Sequence, residues 1–293
     1  MSVYRNLLLI CIACLLVLPS SLSAQSAWIP YRKADGKWTL SNDSKTVILP
    51  IAFERLRFAT DSITAFRQDG KWGYINQFGK VIIPALYEEV SYFQKGIAAV
   101  RTTGPWIFIG TNGKTAFKEA FEHVRVEKGY FMQEGQIAVK QEGKWGFINW
   151  DGEESIECFN QQVGHFEKSL VPVRYDGYWG YLDEYERERI PFDFIEAGDF
   201  HEGMAKAKKE EQWGFINAKG QTIVSFVYDE VRNYNEGLAA VAVGDNWGVI
   251  DRKGLIIVDF DFDEISSYYN GLAVARKGKK VLLISRTGKI YFK

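Results

Sequence analysis

Adjacent carboxylates are the first candidates for chemistry in this sequence. Two neighbouring carboxyl groups can supply the acid and the base that cleave a glycosidic bond. Such pairs occur as Glu88-Glu89, Asp229-Glu230 and Asp263-Glu264. They fall at the same position of a recurring pattern, whereas a catalytic pair is needed only once. The recurrence therefore favours solvated turns over an active site.

The segment GTNGKT, at residues 110–115, resembles part of a phosphate-binding loop. The complete loop requires a glycine where Phe108 stands, and a helix should follow it. The sequence therefore predicts no nucleotide site.

Histidine and cysteine are the other residues with obvious chemistry. His123, His165 and His201 are dispersed along the chain, and Cys158 has no companion at a metal-ligand spacing. We expect no metal site, no cofactor and no histidine-based catalysis. His123 stands where other copies of the pattern carry acids, so we expect it to be exposed, and we interpret Cys158 as an inert buried thiol.

A fixed tryptophan spacing gives the chain its organisation. Seven of the nine tryptophans are 34 residues apart, with one interval of 39. A period of this length indicates a repeat architecture, whose units stack to bury a common core. The units start at Trp38, Trp72, Trp106, Trp145, Trp179, Trp213, Trp247 and, without a tryptophan, Val281.

Glycines keep the same step. One follows most of these tryptophans, and another, seven residues after the tryptophan, suits a turn that needs positive φ. We interpret each Trp-Gly pair as a core tryptophan beside a glycine that admits a close backbone. The alternative is a ladder of aromatic platforms for sugars or peptides.

Within one period the chain reads as a meander of short strands. Predicted strands cover residues 97–101, 72–76 and 80–84, and Pro84 is expected to end the last one because proline cannot donate to the ladder. No helical apolar stripe of sufficient length is present. The predicted fold class is all-β, in tandem β-meander units of about 34 residues.

Two arrangements of the units remain open. A ring of propeller blades fits the small residues of one strand, which suit a crowded axis. An open, curved β-solenoid fits the short period, since a propeller blade typically has about 40 residues or more. We favour the ring and keep the open array as the alternative.

The stretches KWGYINQFGKVIIPALYEEV and QWGFINAKGQTIVSFVYDEV, at residues 71–90 and 212–231, resemble WG repeats, also called KWG repeats, of bacterial exported proteins. The resemblance covers essentially the whole chain after residue 24. It implies β-repeat modules with a binding or scaffold role, and it offers no catalytic residues to carry over.

The third interval departs from this pattern by five extra residues, within the segment EKGYFMQ at residues 127–133. An irregularity in a repeat protein is where a unique binding loop is most often placed. Tyr130, Phe131 and Met132 are expected to form an exposed adhesive loop there.

The fifth copy departs in its turn, where DEYERER at residues 183–189 replaces the usual glycine. Two tryptophans off the lattice, Trp28 and Trp150, are further candidate platforms. The candidate partner-binding residues of the DEYERER turn are Glu184, Tyr185, Arg187 and Arg189.

The first residues have the pattern of a secretory signal peptide. Arg5 precedes the apolar run at residues 7–18, and small residues follow, with cleavage predicted after Ala24. The run is shorter than the about 20 residues of a membrane span. A retained anchor or a lipid on Cys14 is the alternative. The predicted domains are a signal peptide at residues 1–24 and a WG-type repeat domain at residues 25–293.

We therefore expect an exported, non-enzymatic binding or scaffold protein of the bacterial cell envelope, in the periplasm, on the outer surface or secreted. Its expected partner is a protein or a glycan, with no stable membrane span after cleavage. The formal net charge of -1 comes from mixed signs spread along the chain, which argues against nucleic acid. The alternatives are a glycan-active hydrolase or lyase, with acids such as Asp183, Glu184 and Glu186, and a structural spacer without a specific ligand.

Overall fold

The computed structural model describes residues 29–41, 52–57, 63–76 and 79–292. The predicted signal peptide and Trp28 lie outside these residues. Every helix or strand within them is a β-strand, and this part of the chain contains no helix that is long and apolar enough to cross a membrane. The chain divides into two compact units, residues 1–92 and residues 93–293.

The first unit holds a hairpin and a four-stranded sheet. The hairpin is β1 with β2, and the sheet runs in the order β3-β4-β5-β6, all antiparallel. The strands are β1 (Ile29–Arg32), β2 (Trp38–Ser41), β3 (Arg55–Arg57), β4 (Ile63–Gln68), β5 (Lys71–Asn76), β6 (Val81–Tyr87) and β7 (Glu89–Val90).

The second unit begins with a hairpin and an enlarged sheet. The hairpin is β8 with β9, and the sheet runs β10-β12-β13-β14 with β11 paired to β12. The strands are β8 (Ile97–Arg101), β9 (Trp106–Gly110), β10 (His123–Val124), β11 (Met132–Gln133), β12 (Gln136–Gln141), β13 (Lys144–Asn149) and β14 (Glu154–Asn160).

Four more sheets follow in the second unit, each of four strands in chain order. The strands are β15 (Gln162–Val163), β16 (Leu170–Tyr175), β17 (Tyr178–Asp183), β18 (Glu188–Phe194), β19 (Glu196–Ala197), β20 (Met204–Lys209), β21 (Gln212–Asn217), β22 (Thr222–Tyr228), β23 (Glu230–Val231), β24 (Leu238–Val243), β25 (Asn246–Asp251), β26 (Ile256–Phe262), β27 (Glu264–Ile265), β28 (Leu272–Lys277), β29 (Lys280–Ser285) and β30 (Ile290–Phe292).

Each of these four sheets is one turn of the sequence period. A two-residue strand pairs with the small-residue strand, which pairs with the tryptophan strand, which pairs with an outer strand at the edge. The prediction of an all-β fold of tandem meanders is confirmed, and β8 has the predicted bounds. Closure of the units into a ring stays a prediction.

The core of the second unit lies between successive sheets. An aromatic residue from the segment after each two-residue strand packs on the tryptophan strand of the preceding sheet. Phe166 lies 5.0 Å from Phe147, and Tyr234 lies 4.6 Å from Phe215, between ring centroids. These rings are buried, so the hydrophobic effect holds each unit to its neighbour.

The prediction that Pro84 ends the outer strand is wrong. Strand β6 continues to Tyr87, and Pro191 likewise lies inside β18. The pairing of β5 with β6 shifts register between Ile83 and Tyr87, which is a β-bulge. A proline is tolerated there because β6 is an edge strand and the bulged residues do not need to donate to the ladder.

The bulge explains the glycine that follows most of the repeat tryptophans. A Cβ placed on Gly73 would come 2.6 Å from the carbonyl oxygen of Ile83, and one on Gly214 would come 2.6 Å from that of Val224. The interpretation of the Trp-Gly pair as a place of close backbone approach is confirmed. Leu282 stands in place of this glycine in β29, whose pairing with β30 has a regular register without a bulge.

A ladder of glutamates joins successive turns of the second unit. Both carboxylate oxygens of Glu134 accept hydrogen bonds, at 3.0 Å, from the backbone N–H groups of Lys168 and Ser169. The contact recurs two periods later, where Glu202 accepts from the N–H of Gly237 at 2.8 Å, and again where Glu236 accepts from the N–H of Gly271 at 2.8 Å. These three glutamates therefore each cap the turn of the repeat that follows.

Candidate functional site: a groove beside the extra turn

A groove of about 560 Å³ opens in the second unit beside the five-residue insertion. We call it the insertion groove. Phe131, Met132, Ala138 and Phe147 contribute apolar surface to it. The polar side chains that line it include Arg125, Glu127, Lys128, Gln136, His165, Glu167, Asp199 and His201.

The insertion adds a second tight turn. Backbone hydrogen bonds of 2.7 and 2.9 Å join Glu127 and Tyr130 in both directions. The two residues between them have positive φ, 52° at Lys128 and 92° at Gly129, which is the type I′ geometry of a hairpin. The regular turn of the unit, with Glu134 in the same conformation, follows directly.

Phe131 corrects the expectation of an adhesive loop. Its side chain is only 4% exposed, and its ring lies 5.5 Å from that of Phe108. Phe131 thus packs on Phe108 in the way that Phe166 packs on Phe147, and it holds one repeat to the preceding one. Tyr130, 43% exposed, and Met132, half-buried, line the groove.

The side chain of Gln94 fixes the inserted backbone. Its Oε1 accepts hydrogen bonds from the N–H of Phe131 at 2.9 Å and of Met132 at 3.2 Å. Tyr130 directly precedes Phe131, so its position is fixed by Gln94 of the preceding repeat.

His165 is held between two carboxylates. Its Nδ1 lies 2.8 Å from Oδ2 of Asp199, and its Nε2 lies 2.9 Å from Oε1 of Glu127. Oδ1 of Asp199 also accepts the backbone N–H of His165 at 2.7 Å. Both imidazole nitrogens face acceptors, which favours the protonated ring.

The electrostatics of this cluster agree with its geometry. The hydrogen bond that His165 donates to Asp199 raises the pKa of His165, with burial and Arg125 acting against it. Burial alone would raise the pKa of Asp199, but the hydrogen bonds from His165 lower it below its usual value. Both shifts favour the charged forms, so the two groups stabilise each other as an ion pair.

Arg125 completes the wall of the groove. Its guanidinium donates to the carbonyl oxygens of Gly164 at 2.7 Å and Val163 at 2.6 Å, and it lies 5.3 Å from the ring of Trp145. Burial lowers the pKa of Arg125. The side chain links two units and holds the backbone beside His165 in place.

Two of the three histidines that are dispersed along the sequence come together in the folded chain. His165 and His201 line one groove, together with Glu127 and Asp199. The signal was present in the sequence, because His165 and Asp199 are one period apart and residues one period apart lie in neighbouring units. His123 is exposed in β10 as predicted.

The DEYERER segment forms a second, smaller cavity of about 340 Å³. Its backbone is the ordinary turn of the repeat, because Glu186 adopts the positive φ, 60°, that glycine has elsewhere. Asp183 holds this turn by accepting the N–H of Tyr185 at 2.9 Å and that of Arg187 at 3.0 Å. The candidate residues Glu184, Tyr185, Arg187 and Arg189 all line this cavity.

The other residues singled out by type have local roles. Trp150 lies in a turn, 49% exposed, with the ammonium group of Lys95 5.1 Å from its ring. In two of the recurring pairs the first carboxylate caps a hairpin, as Asp229 does for the N–H of Gly244 at 2.6 Å, whereas Glu88 accepts from Nζ of Lys71 at 2.9 Å. Burial raises the pKa of Cys158 to about 11, which keeps the thiol protonated and unreactive.

No metal site was found in the part of the chain that the structure describes, where no three His, Cys, Asp or Glu side chains are grouped suitably.

These features define a class of protein, an all-β tandem repeat with a groove of single-copy residues. The profile of the WG containing repeat matches residues 38–72, 72–106, 145–179, 179–213, 213–247 and 247–280. The chain belongs to this family. Among curated proteins none matches its sequence.

Solved structures resemble the chain weakly. A eukaryotic initiation factor is 12% identical, with a TM-score of 0.48 over 90% of this chain and 83% of that one. The extracellular domain of a one-component system from B. thetaiotaomicron is 9% identical, with a TM-score of 0.35 over 90% and 48% of the two chains. PorZ of Porphyromonas gingivalis, a surface component of the type-IX secretion system, is 11% identical, with a TM-score of 0.30 over 92% and 45%. Because these TM-scores are below 0.5, neither the activity nor the location of those proteins transfers to this chain.

Proposed function

We propose that this WG repeat protein is an exported, non-enzymatic binding protein of the cell envelope, and that it recognises a glycan or protein partner in the insertion groove. The observation that carries the proposal is the groove itself. Its recognition groups occur once in the chain, and neighbouring units hold them in place, whereas the recurring Trp-Gly framework is used for packing. The N-terminal signal pattern supports export.

The chemistry of the cluster favours binding over turnover. A general base needs a nitrogen or oxygen free to take a proton from a substrate. Both ring nitrogens of His165 already face carboxylates, so its structural role is to orient Glu127 and Asp199. Asp183 and Glu184, which line the smaller cavity, and Glu186 in the same turn remain the candidates for a glycan hydrolase or lyase.

Capture experiments test the proposal. The purified chain, immobilised, is incubated with a polysaccharide panel and with an envelope extract. We expect saturable capture of one partner, with Tyr130→Ala and Glu127→Gln weakening it by about tenfold or more and Trp150→Ala leaving it unchanged. Capture that is indifferent to both groove variants would refute a role for the groove.

The same purified chain separates the two remaining alternatives. Appearance of shortened glycans that stops with Glu184→Gln would make the protein an enzyme. Absence of any saturable partner would make it a spacer.

A further inference from the structure

Gln136 breaks the repeat pattern at the floor of the insertion groove. The equivalent residue begins the small-residue strand in six other repeats and is apolar in each. These residues are Ile63, Ile97, Leu170, Met204, Leu238 and Leu272. Gln136 is only 8% exposed, so a carboxamide stands where the fold needs only a hydrophobic side chain.

Only one end of this carboxamide is held by the protein. The hydroxyl of Ser155 donates to Oε1 of Gln136 at 2.5 Å. The amino group Nε2 has no acceptor within the residues that the structure describes, and the side chain lines the groove. The amino group opens into the groove, where it is available to a ligand oxygen.

The charges of the groove favour a neutral ligand. Arg125, Lys128 and protonated His165 are balanced by the carboxylates of Glu127, Glu167 and Asp199. The N–H groups of Arg125 and His165 already face acceptors within the protein. A phosphate or a strongly basic segment would therefore find no excess of opposite charge.

We propose that the insertion groove is a subsite for an N-acetylated sugar, which rests on the proposed binding function and names its ligand class. Nε2 of Gln136 donates to the carbonyl oxygen of the acetamido group. The acetamido methyl group packs on the apolar surface of Met132 and Phe147. The pyranose ring lies against Tyr130, and a sugar hydroxyl donates to Oε2 of Glu127, the oxygen that does not face His165.

A peptide is the less suitable occupant. It supplies the same amide carbonyl and methyl groups, but its backbone has no vicinal hydroxyls for the carboxylates at the rim. The groove volume of about 560 Å³ is within the range of small-molecule sites, so one or two sugar rings fit.

Calorimetric titration of the full chain with three neutral probes tests the proposal. Tri-N-acetylchitotriose carries the acetamido group, cellotriose has a hydroxyl in its place, and N-acetyl-alanyl-alanine methylamide has the amide without a sugar ring. We expect tri-N-acetylchitotriose to bind at least about tenfold more tightly than either of the others. Only this probe offers both an amide oxygen to Nε2 of Gln136 and sugar hydroxyls to Glu127.

The variant Gln136→Leu supplies the matched control. Leucine is the residue of three other units, so we expect it to fold with an unchanged or higher midpoint of thermal unfolding while losing at least about tenfold in affinity for tri-N-acetylchitotriose. Ser155→Ala, which frees the carboxamide to rotate, should weaken binding by less.

The outcomes divide as follows. Equal affinity for cellotriose, undiminished binding by Gln136→Leu, or equal binding of the peptide probe would overturn the acetamido subsite. Capture of a different envelope partner that still depends on Tyr130 would then leave the proposed function standing. Groove variants without effect on any partner would remove both.

Discussion

A glycine in this protein is required where another backbone comes close, and Gly214 is the clearest case. The carbonyl oxygen of Val224 occupies the space of its missing side chain. The tryptophan beside it is held by the same packing, with the ammonium group of Lys206 5.1 Å from the Trp213 ring. The residue pair that first suggests a binding site therefore has a structural role.

Substitution of Gly214 by alanine should destabilise the fold. The added Cβ would lie 2.6 Å from the oxygen of Val224, so the bulge must move, at a cost of about 1–3 kcal/mol in the free energy of unfolding. Urea denaturation followed by tryptophan fluorescence measures it. Gly104→Ala, with open space around its Cβ, should change little, and equal effects of the two substitutions would argue against the close approach.

The stability of the chain should depend on pH through His165. Its pKa is raised in the folded state, so its contribution to stability is complete below the usual histidine pKa of about 6.5 and declines as the pH rises through the raised value. The lowered pKa of Asp199 keeps the partner ionised across this range. The free energy of unfolding of His165→Gln should therefore fall below that of the natural chain most at pH 6 and least at alkaline pH.

The control for this profile is His123→Gln, an exposed change on β10 outside the groove. A difference between His165→Gln and the natural chain that stays constant with pH would show that the ring is not protonated in the cluster.

At the scale of the elements, the inserted turn both supports the fold and forms the groove. Phe131 faces inward and replaces an aromatic of the framework, while its neighbour Tyr130 faces the groove. Two residues adjacent in sequence thus differ in role, and sequence alone gave no means of separating them. The repeat period shows where the insertion lies in the sequence. Which of its side chains is buried depends on the added turn, and no other repeat has a turn there from which this could be inferred.

The two roles predict opposite effects of two alanine substitutions. Phe131→Ala should lower the free energy of unfolding by about 3–5 kcal/mol because it leaves a cavity against Phe108. Tyr130→Ala should change stability by no more than about 0.5 kcal/mol while weakening ligand capture. Thermal unfolding and ligand capture are measured on both variants. A larger loss of stability in Tyr130→Ala than in Phe131→Ala would contradict this division of roles.

The sequence predicts the framework well and the groove poorly, for a physical reason. Each framework residue recurs, so Gly220 or Trp247 can be interpreted from its copies. The groove depends on Glu127, His165 and Gln136, which occur once and act through neighbouring units. A polar residue at an apolar repeat position, as Gln136 is, was the available signal, and only comparison of the copies position by position brings it out.

For the whole molecule, the arrangement of the units is the open prediction. A ring of blades should give a compact, flattened particle in small-angle X-ray scattering, and an open array an elongated one. We expect the compact profile, and a rod-like profile would exclude the ring.

Cooperativity supplies a second measurement. Removal of one complete 34-residue period, such as residues 213–246, should abolish single-step unfolding of a ring, since closure needs every unit. Gradual loss of stability in small steps would indicate the open array instead.

The glutamate ladder has a consequence for how such a chain evolves. Because Glu134 caps the turn of the following repeat, a duplicated repeat that carries a glutamate at this position brings both its own N–H donors and its own acceptor. The extra turn lies shortly before Glu134, and the hydrogen bonds that Glu134 accepts from Lys168 and Ser169 are kept. A lineage could therefore acquire, vary or lose the recognition loop through small insertions and deletions there, while the inherited framework stayed under unchanged selection.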